Sequence, residues 1–157
     1  MAEINVQYIN PFLMAASSII KDTCQLQLKV GKPYIRTTEF TNDSVVIIIG
    51  ITGAMRGQVF LGMDTSTACN IASRMMMGMP VETLDDMANS AISELGNMIM
   101  GNAATIFANQ KILIDITPPT LCRGSLKIST PNTQNICIPL VSEEGIQIDM
   151  DVAIRKE

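Results

Sequence analysis

The stretch that most constrains the fold is SVVIIIG, Ser44–Gly50, whose apolar residues are consecutive and all β-branched. A β-strand sends successive side chains to opposite faces, so an unbroken apolar run leaves no face for water. The chain therefore needs a sheet covered on both sides here. A membrane span takes about 20 apolar residues. The longest apolar run, VVIIIGITGAM, is shorter and is broken by Gly50 and Gly53, so it reads as a strand followed by a turn.

The neighbouring segments extend this into a mostly antiparallel sheet. ITGAMRG supplies glycines for a reversal, and QVFLGM returns as the hairpin partner. QLQLKV alternates polar and apolar residues, the period of a half-buried strand. Gly31-Lys32-Pro33 marks a turn, a second strand is expected within Tyr34–Phe40, and Asn42-Asp43 ends it. KILIDITPP reads as a strand closed by two prolines. SLKIST, NICIPLV and GIQIDMDVAI follow as strands, with EEG as a hairpin turn.

Three segments carry helical signals. Asn10-Pro11 looks like an N-cap followed by proline in the first turn, with Phe12, Ala16, Ile19 and Ile20 on one face. Asp64 is placed to cap a shorter helix through TSTACNIASRMMM, stopped near Gly78 and Pro80. Thr83 is the expected cap of a long helix running to about Ala108, with Asp85 and Asp86 where the helix dipole favours anions. The fold class is α+β: an antiparallel sheet, two long helices on one face and a shorter third. A length of 157 residues with 47% apolar content suits a single domain spanning 1–157.

Composition removes several functions. The net charge is −4, the basic residues are scattered and aromatics make up 4%, so no nucleic-acid surface is expected. Histidine is absent, which excludes His-based triads, His metal sites and His phosphotransfer. Cys24, Cys69, Cys122 and Cys137 form no CxxC pair, and isolated cysteines usually behave as small buried hydrophobes. No Lys or Arg precedes Lys21, so a secretory signal and a membrane partner are not expected; a reduced, cytoplasmic setting is. The 12 methionines serve as adaptable core filler or line a pliable contact surface.

The long helix carries the chemistry. At about 100° per residue, Ser90, Glu94, Asn97 and Gly101 share a narrow stripe, extended by Asp86 at one end and by Ala104 and Ala108 at the other. Leu84, Ala88, Ala91, Ile92, Leu95, Ile99 and Ile106 gather on another arc, suited to a sheet. Exposed Glu and Asn on a helix often do no more than face water. Gly101, however, costs roughly 1 kcal/mol relative to Ala in mid-helix. Glycine there signals a close approach by a partner or by another part of the chain. A carboxamide can hold a water in line with an electrophile, as the catalytic Gln of GTPases does, so that orientation alone accelerates hydrolysis. An acyl phosphate, already labile, suits such a group, and a neighbouring carboxylate can grip a cation on the partner.

SAISELGNM resembles the signature of the CheC/CheX/FliY phosphatases of bacterial chemotaxis: Asp or Ser, three residues, Glu, two residues, Asn. GITGAMRGQVFLGMDTSTACNIASRMMMGMP is similar to the hairpin and helix that precede that signature, IDITPPT to the strand that follows it, and NPFL to the family's first helix. The first helix carries no Glu-x-x-Asn, so the chain has one copy of the signature, the CheX pattern rather than the CheC pattern. The resemblance implies a CheC-like fold and hydrolysis of the phosphoaspartate on a CheY-like receiver. Asn97 would orient the water, Glu94 would pair with a receiver lysine, and Ser90 would make a supporting contact; Gly101, on the same stripe, is expected at the partner surface because its small size lets a partner approach closely. It also implies a homodimer joined through its sheets, with Mg2+ held by the receiver and no cofactor on this chain. Two alternatives stand beside it: a non-catalytic receiver-binding module of the FliM-like flagellar-rotor type, which lacks the Glu/Asn pair, and a structural dimer whose polar stripe is merely solvated.

Overall fold

The computed structural model describes residues 6–156. A turn of 3-10 helix, Val6–Tyr8, leads into α1, Asn10–Cys24. Asn10 is not the cap. Ile9 holds the capping position with helical backbone angles, and its carbonyl accepts from Phe12 N at 3.1 Å and Leu13 N at 3.4 Å. The preceding turn already winds the chain, so Asn10 lies inside the first turn, and Pro11 sits where no N–H is required.

The strands that follow are β1 (Leu28–Val30), β2 (Tyr34–Ile35), β3 (Thr38–Phe40), β4 (Ser44–Gly53) and β5 (Met55–Asp64). Helix α2 (Thr65–Met75) and helix α3 (Asp86–Asn109) come next, then β6 (Ile114–Ile116), β7 (Thr120–Arg123), β8 (Leu126–Ile128), β9 (Ile136–Ser142) and β10 (Gln147–Lys156). The 8-stranded main sheet is antiparallel in the order β1-β9-β10-β5-β4-β6, with β2 beside β1 on β9 and β7 beside β6 on β4.

Two strand expectations change. The segment Tyr34–Phe40 divides: β2 stays on the main sheet, whereas β3 pairs with β8 in a separate two-stranded sheet. Between them Arg36 reaches back to Asp151 of β10 with three contacts of 2.8–3.0 Å, which anchors the chain where it leaves the sheet. The strand expected to end at Pro118-Pro119 resumes as β7. Thr117 bridges the gap: its N–H donates to Gly50 O at 3.0 Å, and its Oγ1 accepts from Gly50 N at 2.8 Å. The prolines thus fall on the sheet edge, where a missing donor is tolerated.

Both faces of β4 are covered, as the apolar run requires. Val45, Ile47, Ile49 and Ile51 belong to the main core under the helices. Val46, with Phe60 and Ala153, packs under Phe40, Ile48 and Ile128 from the small-sheet side. Helices α1 and α3 pack together with Phe12 and Phe107 edge to face, ring centroids 5.1 Å apart. Asp64 caps α2 by accepting from Thr67 N at 2.7 Å. The cap of α3 is Asp85, accepting from Ala88 N at 2.9 Å, two residues beyond Thr83. The carbonyl of Thr83 instead accepts from Asp85 N at 3.0 Å, a turn that delivers the stronger carboxylate acceptor to the helix start.

Candidate active surface on helix α3

Helix α3 lies on the sheet through Ala88, Ile92, Leu95, Gly96, Ile99, Met100, Ala103 and Phe107, all buried. The tightest point is Gly96, where a Cβ would meet Ile47 Cγ2 at 2.9 Å. That contact sets how far α3 is rolled about its axis. Glu94 precedes Gly96 by two residues, about 200° round the helix, and so points away from the sheet.

Ser90, Glu94, Asn97 and Gly101 are all exposed. Among the described residues, no hydrogen bond or ion pair engages the side chains of Ser90, Glu94 or Asn97. Glu94 and Asn97 are separated by about 4.5 Å of helical rise, close enough for both to touch one site on a partner. Helix α3 has only two charged residues, Asp86 and Glu94, both exposed and acidic, so the surface favours a cationic neighbour.

Internal crowding does not account for Gly101. A Cβ there would meet nothing within 4 Å, so no other part of the described chain crowds it. Thr105 Oγ1 donates to the Gly101 carbonyl at 3.1 Å, a back-bond within the same helix. On α3 the glycine required for internal packing is Gly96. Sequence reasoning passed over it because it sits among apolar residues, and only its place on the buried arc opposite Glu94 signals the role.

The stripe is convex and solvent-facing. It has no walls to enclose a small molecule, but it can enter a cleft on another macromolecule. An open depression along α2, lined by Ser66, Cys69, Asn70, Ser73 and Arg74 among others, includes no residue of α3. No helix among the described residues is long and apolar enough to cross a membrane. The described residues also contain no cluster of three or more Cys, Asp or Glu side chains suited to a metal ion.

Residues 45–141 match the family model described as chemotaxis phosphatase CheX. The chain is also 33% identical over 151 residues to the CheY-P phosphatase CheX of Thermotoga maritima, covering 95% of this chain and 97% of that protein. This chain belongs to the CheX family. Its fold is similar to that of CheX in the CheX-CheY-BeF3-Mg2+ complex from Borrelia burgdorferi, with a TM-score of 0.82, 31% identity, and coverage of 95% and 98% of the two chains. It also matches a CheC-like superfamily protein from a Shewanella species with a TM-score of 0.85 and 24% identity over 97% and 99% of the two chains, a likeness that bears on the fold alone. The CheC-like α+β architecture is thus the fold of this CheX-family chain.

Proposed function

We propose that this chain is a phosphatase that hydrolyses the phosphoaspartate of a CheY-like receiver, acting as a single domain over residues 1–157. The observation that carries the reading is the pairing on one rigid helix of an exposed carboxylate, Glu94, and an exposed carboxamide, Asn97, neither held by an internal partner among the described residues. A side chain already locked inside the fold would have to break those bonds before acting on a partner. These two are available without that cost.

Glu94 pairs with a cation beside the receiver's phosphoaspartate, and α3 thereby enters the cleft. Asn97 then hydrogen-bonds a water and fixes it opposite the scissile bond. The water oxygen attacks phosphorus, the bond from phosphorus to the aspartyl oxygen breaks with its electron pair going to the carboxylate, and inorganic phosphate leaves with the water's protons shared to solvent. Mg2+ belongs to the receiver and neutralises charge there. Ser90 and Gly101 complete the contact, the first as a hydrogen-bonding group and the second by leaving room.

The protein works as a homodimer in the cytoplasm. Support for pairing comes from the sheet edge formed by β1 and β2, where Val30, Tyr34 and Ile35 are 47%, 47% and 59% exposed. Apolar side chains on an unpaired edge favour addition of another strand.

The test is phosphate release from CheY phosphorylated by acetyl phosphate, with and without this protein. Acceleration is expected, and Asn97→Ala is expected to lower kcat on the order of 10²-fold, as for loss of one preorganised polar group. Binding to the phosphorylated receiver without acceleration would instead assign the chain to the non-catalytic, rotor-like class.

A further inference from the structure

Two methionines on α3 face outward without joining the core. Met87 is 63% exposed, and Met98 is half-buried. Neither is part of the apolar cluster beneath the helices, whereas Ala91, which lies between them, packs against it. They are eleven residues apart, so at about 100° per residue they sit within roughly 20° of each other, three turns apart. Glu94 falls between them, about 20° to the other side. An exposed methionine standing alone is unremarkable. Two that bracket the carboxylate on the same helical line, about 16 Å apart, make an apolar ridge continuous with the Ser90-Glu94-Asn97 stripe.

We infer that Met87 and Met98 are docking residues for the receiver: they cover apolar side chains on either side of the cation that Glu94 grips, and so set affinity. The inference rests on the phosphatase reading above. Its physical basis is division of labour. Asn97 acts on the reacting water alone, and one exposed ion pair contributes little in water. Burial of two flexible thioethers supplies contact area, and their adaptability lets one surface fit receivers whose rims differ. The occupant is therefore a receiver with a cation at the phosphorylation site flanked by apolar groups.

The experiment is phosphate release measured over a range of phosphorylated CheY concentrations. Met87→Ala and Met98→Ala are each expected to raise KM about three- to tenfold with kcat unchanged, the double variant more so. Met87→Leu and Met98→Leu restore KM, because apolar area returns, whereas a purely structural defect would not follow area at an exposed position. Thermal melting of Met98→Ala checks that its half-buried position has not altered the fold. Unchanged KM in both alanine variants, with Asn97→Ala still losing turnover, overturns this inference and leaves the phosphatase reading standing. No acceleration by the wild-type protein overturns both. A change in sedimentation of the alanine variants without a change in KM assigns the ridge to a second copy of this chain and also overturns the inference.

Discussion

Gly96 of α3 and Ile47 of β4 stand so close that a Cβ on the glycine would lie 2.9 Å from Ile47 Cγ2, with Ile49 Cδ1 next at 3.4 Å. Gly96→Ala therefore sets two effects against each other. Alanine raises helix propensity by about 1 kcal/mol, but overpacking a well-filled core costs about 1–3 kcal/mol. The second effect is expected to win, lowering the urea midpoint. The helix would also lift or roll, so kcat for phosphate release should fall although residue 96 is buried and touches no partner.

Gly101→Ala is the counter-experiment. Nothing outside the helix's own adjoining backbone lies within 4 Å of a Cβ at that position among the described residues, so the propensity gain is unopposed and stability should rise by up to about 1 kcal/mol. A bulky residue, as in Gly101→Phe, should leave stability near wild type while raising KM, if the proposed contact with the receiver is made there. Equal KM for wild type and Gly101→Phe would show that the partner does not approach there.

These two glycines show which parts of the structure can be read from the sequence. Alternation and β-branched runs identify β4, β5, β9 and β10 because burial on a sheet imposes a period of two. The exposure of Ser90, Glu94 and Asn97 follows from the helical period in the same way. Contacts made by absence are not legible: Gly96 looks like any small residue in an apolar helix, and the strand β7 is hidden because Pro118-Pro119 break the pattern while Thr117 carries the pairing across. Helix starts shift by one or two residues: at α1 because the preceding turn already winds the chain, and at α3 because Asp85 rather than Thr83 takes the free Ala88 N–H. Asp151 reads as the polar half of an alternating strand, yet it is fully buried, because its partner Arg36 is distant in sequence.

Glu94→Ala is expected to act on binding. Removing the carboxylate should raise KM several-fold with a smaller fall in kcat, if, as proposed, the group grips the partner and leaves the reacting water to Asn97. The wild-type KM should rise with salt, because an ion pair at an exposed surface is screened within about 8–10 Å at physiological ionic strength. The Glu94→Ala KM should be flatter. Equal salt slopes for the two proteins would remove the ion pair from the account.

Asp151 is buried and satisfied on every side: Arg36 Nη2 donates at 2.8 Å and 2.9 Å, Arg36 Nε at 3.0 Å, and Asn135 Nδ2 at 3.0 Å. Arg36→Met would leave that carboxylate without its counter-charge and should cost about 3–5 kcal/mol. The double variant Arg36→Met/Asp151→Leu removes both charges and should recover most of the loss. Urea denaturation of the single and double variants gives the comparison; a double variant as unstable as the single one would mean that packing, not charge, dominates the site.

Cys137 lies against this same pair, with Tyr34 directly across the ladder. Burial, reinforced by Asp151, pushes its thiol up to about 12 from the 9.0 of an ordinary cysteine. Burial raises Cys24 in the same direction, and Tyr34 is raised by its hydrogen bond to Cys137 and then by burial. The sign is set by where the protons are. Above pH 9 the unfolded chain releases thiol protons that the native state keeps, so the native state loses ground as pH rises. The slope approaches about 1.4 kcal/mol per pH unit for each thiol well above its unfolded value. Below pH 8 these groups are protonated in both states and contribute no slope. Denaturation at pH 8 and pH 10.5 should show the loss, and Cys137→Ala should reduce its slope by about one proton. An unchanged slope in that variant would show that Cys137 does not govern the alkaline limit of the fold.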